Sequence, residues 1–255
     1  MTAYLIVIAV IAGLLCGRLA ATAIVRIPAR EPIFRGWNRC PRCHVTSRLI
    51  ENLPLARFVM QRCSRCGQHI SLRYPLVELA SGLLFGLAAW RFGWRLETVV
   101  YALFFWVLLV LSTIDLEHKL LPDRVVFPSI AVGAASLGVA AVVRGYPRGL
   151  LHAAIGAVIF GGFLFVIAFI NPAGMGGGDV KLAVLLGMFL GYLDGWGVVV
   201  AGMFLSFVLG GVIGVVVMLA TGGGRKMQMP FGPFLALGTV VAILLGHEIV
   251  TAYLG

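Results

Sequence analysis

Apolar residues are not scattered along this chain: runs rich in Leu, Val, Ala and Gly alternate with short polar breaks. An α-helix needs about 20 apolar residues to cross the hydrocarbon layer of a bilayer. By that measure eight spans are predicted, near residues 4–25, 76–93, 97–114, 125–143, 150–170, 180–194, 196–220 and 232–253. Only Leu193–Gly197 separates the sixth run from the seventh, and the sixth is short. One tilted or broken helix with a re-entrant piece is the alternative there. The first run, Tyr4–Val25, is too long for the apolar core of a cleaved signal peptide, and no basic residue precedes it. It is expected to stay as a transmembrane helix.

Composition sharpens the class. Of 255 residues, 60% are hydrophobic and 12% charged, with a mean hydropathy of +1.01. No soluble domain hides that much apolar surface, so the chain reads as an all-α polytopic membrane protein. Eight spans put both termini on one side. The loops of the other side fall at 26–75, 115–124, 171–181 and 221–231. The first of these alone holds ten arginines, and the rest add Lys119, Arg124, Lys181, Arg225 and Lys226. The side shared with the termini holds Arg91, Arg95, Arg144 and Arg148. The positive-inside rule makes the richer set cytoplasmic. The net charge of +10 is therefore read as a topological signal, and no nucleic-acid partner is expected. The same excess attracts anionic lipid head groups.

The chain divides into a first transmembrane helix at 1–25, a cytoplasmic segment at 26–75 and a helical bundle at 76–255. The middle segment carries CPRC (Cys40, Cys43) and CSRC (Cys63, Cys66), with 19 residues between the two. Such paired knuckles have the spacing of a zinc ribbon. Zn²⁺ takes four thiolates in a tetrahedron, and a two-residue gap lets one turn aim both sulfurs at one metal. So small a segment has little core, and a metal would supply the closure. Two disulfides are the alternative, but they need an oxidising compartment, and the charge count places the segment in a reducing one. His44 and His69 adjoin the knuckles and are read as surface residues. Cys16 lies in the first span as a small buried apolar residue.

Acids are scarce, ten in all. Asp115 directly follows the third apolar run, and Asp179 opens the sixth. Both fall at the cytoplasmic edge, where a charge is costly unless paired, hydrated or used. If spans three and six pack together, the two carboxyls meet. Close carboxylates share a proton. One can then take a proton from an attacking water while the other donates to a carbonyl oxygen and afterwards to a leaving amine. Gly176, Gly177 and Gly178 precede Asp179 and suit close approach of a backbone. The plainer readings stay open: Asp179 as an N-cap, and Asp115 as the place where a span meets water. Asp123 and Glu117 are rivals to Asp115, and Asp123 also reads as the N-cap of span four. Asp194 lies on the opposite side.

Four stretches together resemble one family. GMGGGDVKLAVLLG holds a G-x-G-D signature at Gly176 to Asp179, and IDLEHKLLPD resembles that family's segment around its first aspartate. CPRC…CSRCGQHISLRYPLVELASG resembles its cytoplasmic zinc loop, and MPFGPFLALG its proline-containing entry to the last span. In this order, over nearly the whole chain, they are similar to the type IV prepilin peptidases, or leader peptidase/N-methyltransferases. The resemblance implies an intramembrane aspartyl peptidase that removes the basic leader from type IV prepilins and the pseudopilins of type II secretion. It also implies N-methylation of the new terminus from S-adenosylmethionine, in a bacterial cytoplasmic membrane with the site on the cytoplasmic side. By carry-over, Asp115 and Asp179 are the catalytic dyad, with Gly176 and Gly178 in support. Lys181 would tune or orient Asp179, or else snorkel. Glu78 would be a polar partner within the bundle or part of the methyl-transfer site.

The stretch from Cys16 to Pro28 lacks the family's usual asparagine, whereas ENLPLARF is a fair match to the pattern that follows the first knuckle. A bifunctional enzyme is expected, and a peptidase with weakened methylation is the nearest variant of that reading. Two other classes are a transporter with a polar Asp/Lys pathway and a non-catalytic assembly factor that uses the metal loop for docking. The cysteine pattern carries its own test. Metal analysis of the purified protein is expected to find one zinc per chain, lost together with thermal stability in a Cys40→Ser/Cys43→Ser variant. Zinc-free protein that melts unchanged rules out a structural metal.

Overall fold

The computed structural model describes residues 2–32, 66–67, 71–172, 175–194, 196–221 and 230–254. Every regular element among them is α-helical: α1 Thr2–Arg26, α2 Arg73–Phe92, α3 Leu96–His118, α4 Asp123–Arg144, α5 Pro147–Ile170, α6 Gly177–Asp194, α7 Trp196–Thr221 and α8 Gly232–Leu254. Each lies close to a predicted run. The sixth and seventh runs form separate helices, not one broken helix. Among the described residues, six of the eight are long and apolar enough to cross a membrane. The other two are α6 and α8. The 18 residues of α6 rise only about 27 Å and carry Asp179, Lys181 and Asp194. The described part of α8 is apolar from Gly232 to Gly246. Cys40, Cys43 and Cys63 lie outside the described residues; Cys66 is described, and it is exposed.

The chain forms two compact units, Met1–Val110 and Leu111–Gly255, with the boundary inside α3. Lipid offers no hydrophobic drive for one helix to prefer another, so close backbone packing and buried hydrogen bonds must select the partners. In the first unit α1 and α2 run antiparallel along small residues. A Cβ on Gly13 would lie 2.6 Å from the Ser81 carbonyl oxygen, and one on Gly17 would lie 2.6 Å from the Cα of Glu78. The Ser81 hydroxyl donates to the Gly13 carbonyl at 2.7 Å, and the Trp106 indole N–H donates to the Cys16 carbonyl at 2.9 Å. The rings of Phe92 and Tyr101 stack at 4.4 Å, joining α2 to α3.

In the second unit α5 and α6 touch backbone to backbone. Any side chain on Gly156 or Gly187 would strike the carbonyl of the other, and one on Gly191 would strike that of His152. The turn between α4 and α5 is made by Gly145 in the left-handed conformation, φ 66°, with the Tyr146 N–H donating to the Ala141 carbonyl at 2.8 Å. That is the helix-ending geometry glycine favours.

Helices α7 and α8 meet at Ser206, whose hydroxyl reaches the carbonyls of Gly202 at 2.7 Å and Leu235 at 3.3 Å. Leu235 is four residues before Thr239, so its carbonyl is the one a helical threonine would ordinarily bond. Thr239 is fully buried, and its hydroxyl has no hydrogen-bond partner among the described residues. A buried hydroxyl left unpaired costs about 1–3 kcal/mol. Thr239→Val keeps the shape and removes the orphan, so it is expected to stabilise the protein by about 1 kcal/mol. A thermal melt in detergent measures this, and a lowered midpoint refutes it.

Candidate active site

Asp115 sits in the last turn of α3. Its backbone carbonyl accepts the Lys119 N–H at 2.8 Å, and Lys119 then leaves the helix with φ 51°. The Asp115 side chain is only 5% exposed, facing the start of α8. There the Gly232 N–H donates to Asp115 Oδ2 at 3.0 Å. Gly232 is the first residue of its helix and Pro233 the second. The first amides of a helix lack intrahelical acceptors, and the helix dipole favours negative charge at that end. Proline has no N–H, so Gly232 supplies the donor. A Cβ at 232 would lie 2.7 Å from Asp115 Oδ2, so the close approach requires glycine.

Asp179 is the third residue of α6 and 9% exposed. Its Oδ2 accepts the Gly176 N–H at 3.2 Å, and its own N–H donates to the Gly176 carbonyl at 3.0 Å. Asp179 is thus not the N-cap. It reaches back from the third position to the capping residue, as the acid of a capping box does. Among the glycines before it, Gly176 supplies the amide. Gly178 makes room, since a Cβ there would lie 2.8 Å from the Cβ of Leu121. Gly177 faces open space.

Both aspartates belong to the second unit. The charge of Asp115 acts on Asp179, so the two carboxyls lie within electrostatic reach of each other. Among the described residues each is tied through Oδ2 alone.

Lys181 lies two residues beyond Asp179, a spacing that turns a side chain away from its neighbour on a helix. Its Nζ pairs with Asp123 Oδ1 at 2.7 Å and stands 5.1 Å from the centre of the Phe127 ring. The N-cap of α4 is Pro122, and Asp123 is the helix's first residue, with its carboxylate committed to Lys181 instead of a capping bond. Glu78 is buried in the first unit. The sequence reading missed Gly232 as an amide donor. The Gly-Pro pair at the head of an apolar run was its available signal, since proline favours a helix's first turn.

Residues 11–92 match the bacterial peptidase A24 N-terminal domain, and residues 102–215 match the type IV leader peptidase family. Several relatives carry the description prepilin leader peptidase/N-methyltransferase. The one from Stutzerimonas stutzeri is 37% identical over 227 residues, covering 87% of this chain and 76% of that protein. The one from Bacillus subtilis is 33% identical over 244 residues, covering 95% of each. The one from Pseudomonas aeruginosa is 36% identical over 222 residues, covering 84% of this chain and 73% of that protein. No solved structure matches.

The fit of Gly232 against Asp115 predicts a chemical signature. Gly232→Ala is expected to displace the carboxyl and to change carbodiimide labelling of Asp115 several-fold, read by peptide mass spectrometry. Gly177→Ala, which faces open space, is expected to leave that labelling as it is. Equal labelling in both variants contradicts the steric account.

Proposed function

Because the chain belongs to the type IV leader peptidase family, we propose that Asp115 and Asp179 are the pair with which it cuts the leader from type IV prepilins or pseudopilins. The observation that supports this reading is two buried carboxyls from distant helices, each tied to a glycine amide, with the charge of Asp115 felt at Asp179. The ionised member takes a proton from water as the water oxygen attacks the scissile carbonyl carbon. The protonated member gives its proton to the carbonyl oxygen, and a neutral tetrahedral diol forms. A proton then passes to the amide nitrogen, the C–N bond breaks, and a carboxylic acid and a free amine leave. The glycine amides hold both side chains still, so little reorganisation is needed at the moment of reaction.

The orientation follows from the charge count. All eight helices cross the bilayer, the termini face outward, and the two aspartates stand at the cytoplasmic rim, with the Cys40/Cys43 and Cys63/Cys66 knuckles on the same side. Zinc fits that donor set of four closely paired thiols, and it would close a segment of little core. The peptidase step makes no use of it. The new amine is the group that the N-methyltransferase activity modifies. S-adenosylmethionine supplies the methyl group when bound. Glu78, buried in the first unit, is assigned either to the polar interior of the bundle or to the methyl-transfer site. Substrate helices and surrounding lipid share the apolar faces of the bundle.

The decisive test follows the mass of a prepilin incubated with the purified protein in detergent. Asp115→Asn and Asp179→Asn are each expected to lower cleavage by about 10³-fold or more, the scale of losing acid–base catalysis. Glu117→Gln, an exposed neighbour, is expected to cleave at the native rate. Cleavage that survives either aspartate substitution removes the dyad.

A further inference from the structure

We propose that Lys181 and Asp123 form a positioning clamp that sets the separation of Asp115 and Asp179. The inference rests on the dyad reading above. Four links close a ring around the pair. Asp115 sits in the last turn of α3, and the chain turns at Lys119 in the left-handed region, φ 51°, unusual for a residue with a side chain. Leu121, buried in that turn, packs against the bare Cα of Gly178, one residue before Asp179. The turn delivers Asp123 to the head of α4, where its carboxylate meets Lys181 at 2.7 Å. Lys181 lies on α6, just beyond Asp179. The ion pair therefore ties the helix that follows one aspartate to the helix that carries the other.

The partners' surroundings fit a steering role better than a stabilising one. The side chains of Lys181 and Asp123 are 35% and 56% exposed. Exposed ion pairs add little to folding stability. Their geometry is nevertheless directed. The Lys181 ammonium stands over the Phe127 ring, which favours a cation at its face. The Asp123 carboxylate lies in the first turn of α4, where the dipole favours an anion. Lys181 does not bond Asp179, so its influence on that group passes through the position of α6. A shift of about 1 Å in reacting groups can lower a rate by 10²-fold.

The test measures kcat, KM and melting temperature for Asp123→Asn, Lys181→Met, the double variant and the reversed pair Asp123→Lys/Lys181→Asp. Each single variant is expected to lose about 10-fold in kcat, within the reach of a small displacement, with KM and melting temperature unchanged. The double variant is expected to lose no more than either single one, and the reversed pair to recover most of the rate. Native kcat in the single variants, losses that multiply in the double one, or a fall in melting temperature that tracks the fall in rate would each overturn the clamp. Asp115→Asn, assayed alongside, separates the two ideas. If it is inactive while the clamp variants are native, only the clamp fails; if it cleaves, the dyad fails.

Discussion

A carboxylate at the edge of a lipid layer has to be held by something, and here backbone amides hold it. Asp115 is tied to the first amide of α8, Asp179 to the amide just before α6. Helix starts are the natural places to find such donors, because their N–H groups have nowhere else to bond. Among the described residues, no cation is bonded to either acid. An amide, like a cation, favours the ionised form of the carboxyl it bonds, but it brings no full positive charge into the site. The nearby ammonium, that of Lys181, is occupied by Asp123.

Glycine makes this possible at each step. Gly232 lets α8 approach Asp115, and Gly178 lets the α3–α4 turn lie against α6. The same residue type does different work in the two units. Between α1 and α2 it permits a tight antiparallel seam, whereas at the site it permits a backbone donor to reach a side chain. Membership in the leader peptidase family accounts for the activity. The packing accounts for how these two acids can be buried at the start of one helix and the end of another.

Much of the framework is legible from the sequence. The eight apolar runs became eight helices, six of them long and apolar enough among the described residues to cross a membrane, because span length is set by the bilayer and not by tertiary context. Asp115 and Asp179 stand out because acids are rare in this chain and both interrupt apolar runs. Pairing was not legible. Lys181 finds its partner 58 residues away, and Asp115 its amide 117 residues away. In a membrane protein the buried and lipid-facing sides of a helix are both apolar, so the pattern does not say which side meets which neighbour. Helices α2 and α7 illustrate this: both read as apolar runs, yet over half of one is buried and almost none of the other. The local reading of Asp123 as a cap failed for the same reason, since a distant ammonium took its carboxylate.

The backbone contact between α5 and α6 carries one more consequence. With Gly156, Gly187 and Gly191 lying flat against the opposing chain, α6 has no side-chain cushion on that side to absorb a twist. Rotation about its own axis would drive neighbouring side chains into carbonyl oxygens, and tightly packed interiors resist such gradual deformation. The helix bearing Asp179 is thus the stator of the machine. Any movement that changes the spacing of the two acids therefore falls to the parts around Asp115.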